Sequence, residues 1–142
     1  MLNAPIVYNL DSSIIIEILR SNVTVVNNML KAVGTKNKIA ICSIAYYEVM
    51  RGFDKDKNRK KVEMFDALCN DAERFSLSDK AIDIATDIYR YLSKRGQKIE
   101  DDDIFIAAIT LANDATLITD NVKHFERVPN LKVVNWKNLG EV

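Results

Sequence analysis

Acidic side chains stand at four points of the chain where a folded protein could use them. Asp11 closes the short apolar run Ile6-Val7-Tyr8-Asn9-Leu10, and Glu48 lies six residues beyond Cys42, the end of a second apolar run. Asp101-Asp102-Asp103 open a third apolar stretch, and Asp120, with Asn121 beside it, follows the run 116–119. Nitrogen and sulfur ligands are scarce: two cysteines, Cys42 and Cys69, and one histidine, His124. A zinc centre needs more of them. Carboxylates alone are hard oxygen donors, suited to Mg²⁺ with Mn²⁺ as substitute. Gathered without a cation they raise one another's pKa. With one, the site can acidify a bound water and offset charge on a phosphodiester in its transition state. Metal-assisted phosphodiester hydrolysis is the chemistry this pattern fits.

Each acid also has an ordinary reading. Asp11 can cap the helix after it, Glu48 can sit on a solvated helix face, and Asp120 is a common turn-former. Asp101, Asp102 and Asp103 suit the positive end of a helix dipole. Only joint placement separates a site from four unrelated acids, so the elements that carry them matter. Residues 5–10 read as a buried strand, and Ser12 or Ser13 as the cap of a helix bearing Ile14, Ile15, Ile18 and Leu19. A helix over 22–33, stopped by Gly34, leads to a strand over 38–42. Ser43 caps a helix that ends near Gly52. A charged turn over 54–61 enters a helix with Val62, Phe65 and Leu68 at helical spacing. Residues 74–77 suggest a short strand. Ser78 starts a helix with Ala81, Ile84, Ala85, Ile88, Tyr89 and Leu92 on one face, ended by Gly96. Asp101 or Asp102 begins the next helix. A strand over 115–119, a turn holding Phe125 and a last strand over 131–134 complete the chain.

Strands alternating with helices predict an α/β fold with a mostly parallel sheet and helices on both faces. Such sheets bind ligands beyond the carboxyl ends of their strands. Asp11 and Asp120 lie on that rim directly. Glu48 and Asp103 join them if their helices pack beside those strands.

The 142 residues, with no internal repeat or linker, suit one domain over 1–142. Charge balances at 20 basic against 20 acidic residues, so a polyanion would have to meet a local patch. The densest basic cluster is Lys55, Lys57, Arg59, Lys60 and Lys61. A solvated turn is the ordinary reading. Arg59, Lys60 and Lys61 fall near a helix N-terminus, however, where cations are mildly unfavourable; a phosphate partner would explain them, with Lys57, Arg59 and Lys61 as the candidate substrate contacts. Two cysteines among apolar neighbours make no disulfide framework. No apolar run is long enough to span a membrane, and the N-terminus lacks signal-peptide character. A cytoplasmic protein with no membrane partner is expected.

Taken together, four segments resemble the PIN-domain ribonucleases, especially the toxin half of VapBC-type toxin–antitoxin pairs. They are Tyr8-Asn9-Leu10-Asp11-Ser12-Ser13, the helix 43–52 with its Glu48 and closing Gly52, Asp101-Asp102-Asp103-Ile104-Phe105-Ile106-Ala107-Ala108, and Leu117-Ile118-Thr119-Asp120-Asn121 running on to Phe125. Ser12 and Ser13 depart from the family's usual Thr-Asn. The resemblance implies a metal-dependent endoribonuclease with Asp11, Glu48 and Asp103 as its acidic triad, and Asp11 and Asp103 as metal ligands. Asp120 or Asn121 would be the fourth position, with Thr119 helping through its hydroxyl. It further implies RNA as substrate, a small antitoxin protein as partner and self-pairing into a homodimer. The antitoxin is expected across Tyr46, Tyr47, Met50 and Phe53, with a cationic residue near Glu48 or Asp103. The alternatives are a phosphoacceptor signalling domain, a non-catalytic binding module, or a housekeeping PIN nuclease without antitoxin.

Overall fold

The computed structural model describes residues 4–54 and 56–138, so Lys55 of the basic cluster lies outside it. Five strands form one sheet: β1 (Val7–Leu10), β2 (Lys38–Cys42), β3 (Glu73–Phe75), β4 (Thr116–Ile118) and β5 (Val133–Val134), in the order β3-β2-β1-β4-β5. Every pairing is parallel, with Tyr8 opposite both Ile39 and Thr116. Burial explains the central strands. Leu10, Ala40, Ile41, Leu117 and Ile118 are fully buried, as expected where helices cover both faces of a parallel sheet.

Helices α1 (Ser12–Leu19) and α2 (Val23–Gly34) join β1 to β2, while α3 (Ser43–Arg51) and α4 (Arg59–Asp71) join β2 to β3. Then α5 (Asp79–Lys94) and α6 (Asp101–Ala112) carry the chain back across the sheet to β4, and α7 (Val122–Phe125) precedes β5. The chain thus builds outward from β1 on one side and then reverses to the other. That reversal opens a crevice past the carboxyl ends of β1 and β4.

α6 is apolar nearly all round, with Ile104, Ile106, Ala107, Ala108 and Ile109 buried, so it behaves as a core helix. Asn9 of β1 donates through Nδ2 to Thr110 Oγ1 at 2.9 Å, and that hydroxyl donates to the Ile106 carbonyl at 2.7 Å. These buried bonds fix α6 against β1, and with it the first turn that carries Asp103. On the other side of β1, Trp136 packs on Tyr8 at 5.5 Å between ring centroids. Asn28 of α2 donates to the Trp136 carbonyl at 2.9 Å and holds the segment after β5 in place.

Several boundaries differ from the sequence reading. The N-cap of α1 is Asp11 itself, whose carboxylate accepts from the Ser12 N–H. Cys42, with no side-chain cap, precedes α3; the Ser43 hydroxyl instead donates to the Phe75 carbonyl at 3.3 Å. α2 runs through Gly34, and the left-handed residue past its end is Lys36, at φ 67°. β3 starts one residue earlier and ends two residues earlier than expected, and the turn around Phe125 contains the single-turn helix α7. Tyr89, expected on the apolar face of α5, is exposed because that face closes on Ala85, Ile88 and Leu92 without it. Ser78 does cap α5, accepting from the Ala81 N–H, and Gly96 takes a positive φ of 64° just beyond it. Both cysteines are buried free thiols, and burial pushes their pKa values up. Among the described residues no helix is long and apolar enough to cross a membrane.

Candidate active site

Asp11 leaves β1 at the topological reversal, where its backbone N–H still bonds the Ile118 carbonyl of β4 at 2.9 Å. The side chain is buried, and three donors hold it. Ser12 N–H reaches Oδ1 at 2.9 Å, while the Thr119 hydroxyl at 2.7 Å and the Ser13 hydroxyl at 3.2 Å reach Oδ2. Burial nevertheless wins and raises the Asp11 pKa; Asp103 adds to the rise, and the hydroxyl and N–H donors work against it. Capping and site therefore coincide in one residue. The helix needs an oxygen at its first turn, and the same oxygen pair faces another carboxylate's field.

Glu48 comes from the middle of α3, which packs against both α1 and α6. Its Oε1 is buried with no hydrogen-bond partner, Oε2 lies 3.9 Å from Arg51, and the Ser12 hydroxyl beside the carboxylate favours its charged form. Burial raises its pKa first, then the charges of Asp11 and Asp102, with Asp103 adding less. Asp103 sits in the first turn of α6, whose N-cap is Glu100, without a side-chain capping bond; none of the three aspartates is the cap, and all three stand where acids suit the helix dipole. The Asp103 pKa is also raised, chiefly by burial, with His124 as the main opposing influence. Asp11, Glu48 and Asp103 thus share one electrostatic environment. Asp102 adds its charge to Glu48 as well, which its place among three helix-opening aspartates does not by itself reveal.

Thr119 organises the far wall. It is fully buried; its hydroxyl donates to Asp11 and accepts from the Asn121 N–H at 3.0 Å. Ser13 plays a similar double part, accepting from the Asp120 N–H at 3.2 Å. The Asp120 carboxylate, expected as a fourth acid, is exposed and pairs with Lys137 at 3.3 Å instead of joining the others. Its backbone bonds into the site while its side chain turns outward, which a strand-end position alone cannot reveal.

Asn121 leads to His124, with Nδ2 and Nδ1 at 2.8 Å, and His124 Nδ1 lies 3.5 Å from Asp103 Oδ2. Nδ1 accepts from the Asn121 amide when unprotonated. With a proton there it donates to Asp103, and Asn121 must present its amide oxygen. From sequence, His124 enters only as the single nitrogen ligand available. The i, i+3 spacing from Asn121 was the available signal.

Glu48 forms a wall between two hollows. One, of about 580 Å³, is floored by Glu48, Asp102 and Asp103 and rimmed by Arg51, Tyr89 and Lys98. The other, about 230 Å³, is more apolar, with Leu19, Val49, Phe53, Asn58 and Lys61 beside Glu48. Of the basic cluster, Lys61 therefore reaches the neighbourhood of the acids, whereas Lys57 is exposed on the turn and Arg59 at the start of α4. That turn is built on Asp54, whose carboxylate accepts from the Asp56 and Lys57 N–H groups. Of the expected partner surface, Tyr47 is exposed. Tyr46 stacks on Phe65 at 5.4 Å, and Met50 and Phe53 pack partly against the core.

Oxygen donors, mutual charge and an orphaned buried carboxylate oxygen suit a hard divalent cation. Among the described residues no three His, Cys, Asp or Glu side chains form a ready metal cage.

The model of the PIN domain family matches residues 8–131. Ribonuclease VapC2 of Rickettsia felis is 30% identical over 131 residues, covering 92% of this chain and 98% of that protein. Ribonuclease VapC1 of Haemophilus influenzae strain R2866 is 25% identical, with 92% and 98% covered. Among solved structures, VapBC2 of Rickettsia felis bound to a promoter DNA fragment superposes with a TM-score of 0.81 at 30% identity, over 92% of this chain and 99% of that one. VapBC-1 of nontypeable Haemophilus influenzae gives 0.80 at 22% identity, over 94% and 100%, a likeness of fold.

Proposed function

The chain belongs to the PIN-domain family and to its VapC ribonucleases, and from that premise we propose that its acidic site hydrolyses RNA phosphodiesters with Mg²⁺, Mn²⁺ substituting. It is a ribonuclease toxin of a toxin–antitoxin pair. The observation that carries the assignment of residues is the convergence of Asp11, Glu48 and Asp103 at the sheet's reversal, each with a raised pKa. Asp11 and Asp103 would hold the metal, and Glu48 would join directly or through water. When bound, the ion supplies an acidified water and charge compensation at the phosphate.

The chain's own groups prepare for it. The Thr119, Ser13 and Ser12 donors keep Asp11 in one orientation, as outer-shell partners of metal ligands generally do. His124 and Asn121 hold Asp103 from the opposite side. Thr119 and Asn121 act on substrate through this scaffold, and the main-chain bonds of Asp120 support it. Lys57, Arg59 and Lys61 are proposed phosphate contacts at the more distant approach. Glutamine at all three should weaken RNA binding and flatten its salt dependence.

The antitoxin is proposed to lay a segment in the apolar hollow of Leu19, Val49 and Phe53, with a cationic side chain on Glu48. The free chain is proposed to pair with itself, which light scattering measures, and to act in the cytoplasm. The test of the enzyme is cleavage of total RNA with Mn²⁺ and with chelator. Cutting should require the metal and disappear in Asp103→Asn. Co-expression with the neighbouring small open reading frame should give a stable, inactive complex. Metal-dependent cutting without any such partner would leave a housekeeping nuclease.

A further inference from the structure

The floor of the larger hollow is acidic, but its rim is not. Tyr89 projects from α5 with 49% of its surface exposed, although that helix buries Ala85, Ile88 and Leu92 in the core. Nine residues further on, in the connection after α5, the exposed Lys98 places its ammonium 5.9 Å from the Tyr89 ring centre. Among the described residues Lys98 has no carboxylate within ion-pair distance, even though Glu100, Asp101 and Asp102 line the same hollow. Across from it stands Arg51, half exposed, whose one ion contact is the 3.9 Å approach to Glu48. Tyr91, two positions from Tyr89 and on another face of α5, is packed against the core with Arg95 at 3.5 Å over its ring, whereas Tyr89 and Ile82, seven residues earlier on the same face, are both exposed.

An acidic floor repels phosphate. A neutral chain has no general field to offset that, so a nucleic acid strand must be held by local cations at the rim. Two cations flanking an exposed aromatic ring are the parts with which proteins hold single strands, cations on phosphates and a ring under a base. We infer that Arg51, Tyr89 and Lys98 form the single-stranded RNA platform of the larger hollow, Tyr89 stacking one base while Arg51 and Lys98 hold the phosphates on either side of it. The inference rests on the nuclease reading and deepens it: the substrate at the scissile bond is unpaired, and recognition there tolerates any base.

The test uses a fluorescein-labelled single-stranded RNA of about 12 nucleotides, within the span such platforms cover. Binding is followed by anisotropy through a salt series, on the full chain carrying Asp103→Asn so that nothing is cut. Tyr89→Leu should weaken binding about tenfold and Tyr89→Phe should restore it. Arg51→Gln and Lys98→Gln should each lower the slope of log affinity against log salt by about 0.7. Lys132→Gln, an equal charge change beside the amino end of β5, should leave the slope alone. Parent-like binding by Tyr89→Leu and Lys98→Gln overturns the inference. So does an altered molecular mass in Tyr89→Leu with RNA affinity intact, which would make Tyr89 part of a self-pairing face. The nuclease reading is judged separately, by Mn²⁺-dependent cutting in the otherwise unaltered chain. Such cutting stands whichever way the rim variants behave, and its absence would remove both.

Discussion

Asp11 and Asp120 occupy equivalent places, each just past the end of one of two neighbouring parallel strands, yet they have opposite fates. Asp11 turns inward, loses its water and faces another carboxylate, and its pKa rises. Asp120 turns outward to a lysine, half in solvent. The helix that follows decides between them. Asp11 caps the eight residues of α1, which bury Ile14, Ile15 and Ile18 and so drag the cap into the core. Asp120 precedes the four-residue α7, whose buried anchor is Phe125 and whose cap position is Asn121. A strand-end acid becomes a candidate site residue when the next element buries it without giving it a cation.

This contrast can be broken first at Asp103. Asp103→Asn should abolish metal-dependent cleavage while far-UV circular dichroism stays as in the unaltered chain, whereas Asp120→Asn should leave cleavage close to the parental rate. Equal loss in both would return Asp120 to the site.

Next in size is the hydroxyl that makes the inward arrangement possible. Thr119→Val removes the donor to Asp11 and the acceptor of the Asn121 N–H from a fully buried position. About 1–3 kcal/mol of stability should be lost in urea titration, with cleavage falling by about 10–100-fold. Thr119→Ser should recover most of both.

A third test concerns pH. The raised pKa values mean that the fold favours the protonated acids. Their contribution to stability is full below the ordinary carboxylate range and is lost as pH rises through the raised values. Glu48→Gln should therefore unfold at higher urea than the unaltered chain near about pH 7.5, with the gap closing by about pH 3.5. Mn²⁺ should raise the neutral-pH midpoint of the unaltered chain by mass action, and do so much less in the variant. A gap that is constant with pH would mean that Glu48 carries no charge stress.

The smallest effect belongs to the outward acid. Lys137→Gln breaks an exposed pair and should change stability by no more than about 1 kcal/mol.

Local sequence was enough for the alternation of strands and helices. Buried parallel strands must be short apolar runs, and α5 and α6 must carry apolar faces, whatever surrounds them. Asp11, Glu48 and Asp103 were legible because each stands at a strand end or helix position that a parallel sheet brings to one rim. Cap residues were less legible: at 11–13 and 42–43 several side chains could serve, and packing chose among them. Tertiary structure alone decided which way a carboxylate points, that His124 meets Asp103, and that Glu48 divides two hollows. It also set Arg51, Tyr89 and Lys98, from three separate segments, around one floor. Those outcomes depend on contacts between residues far apart in the chain, and on desolvation, which has no magnitude until the neighbours that exclude water are in place.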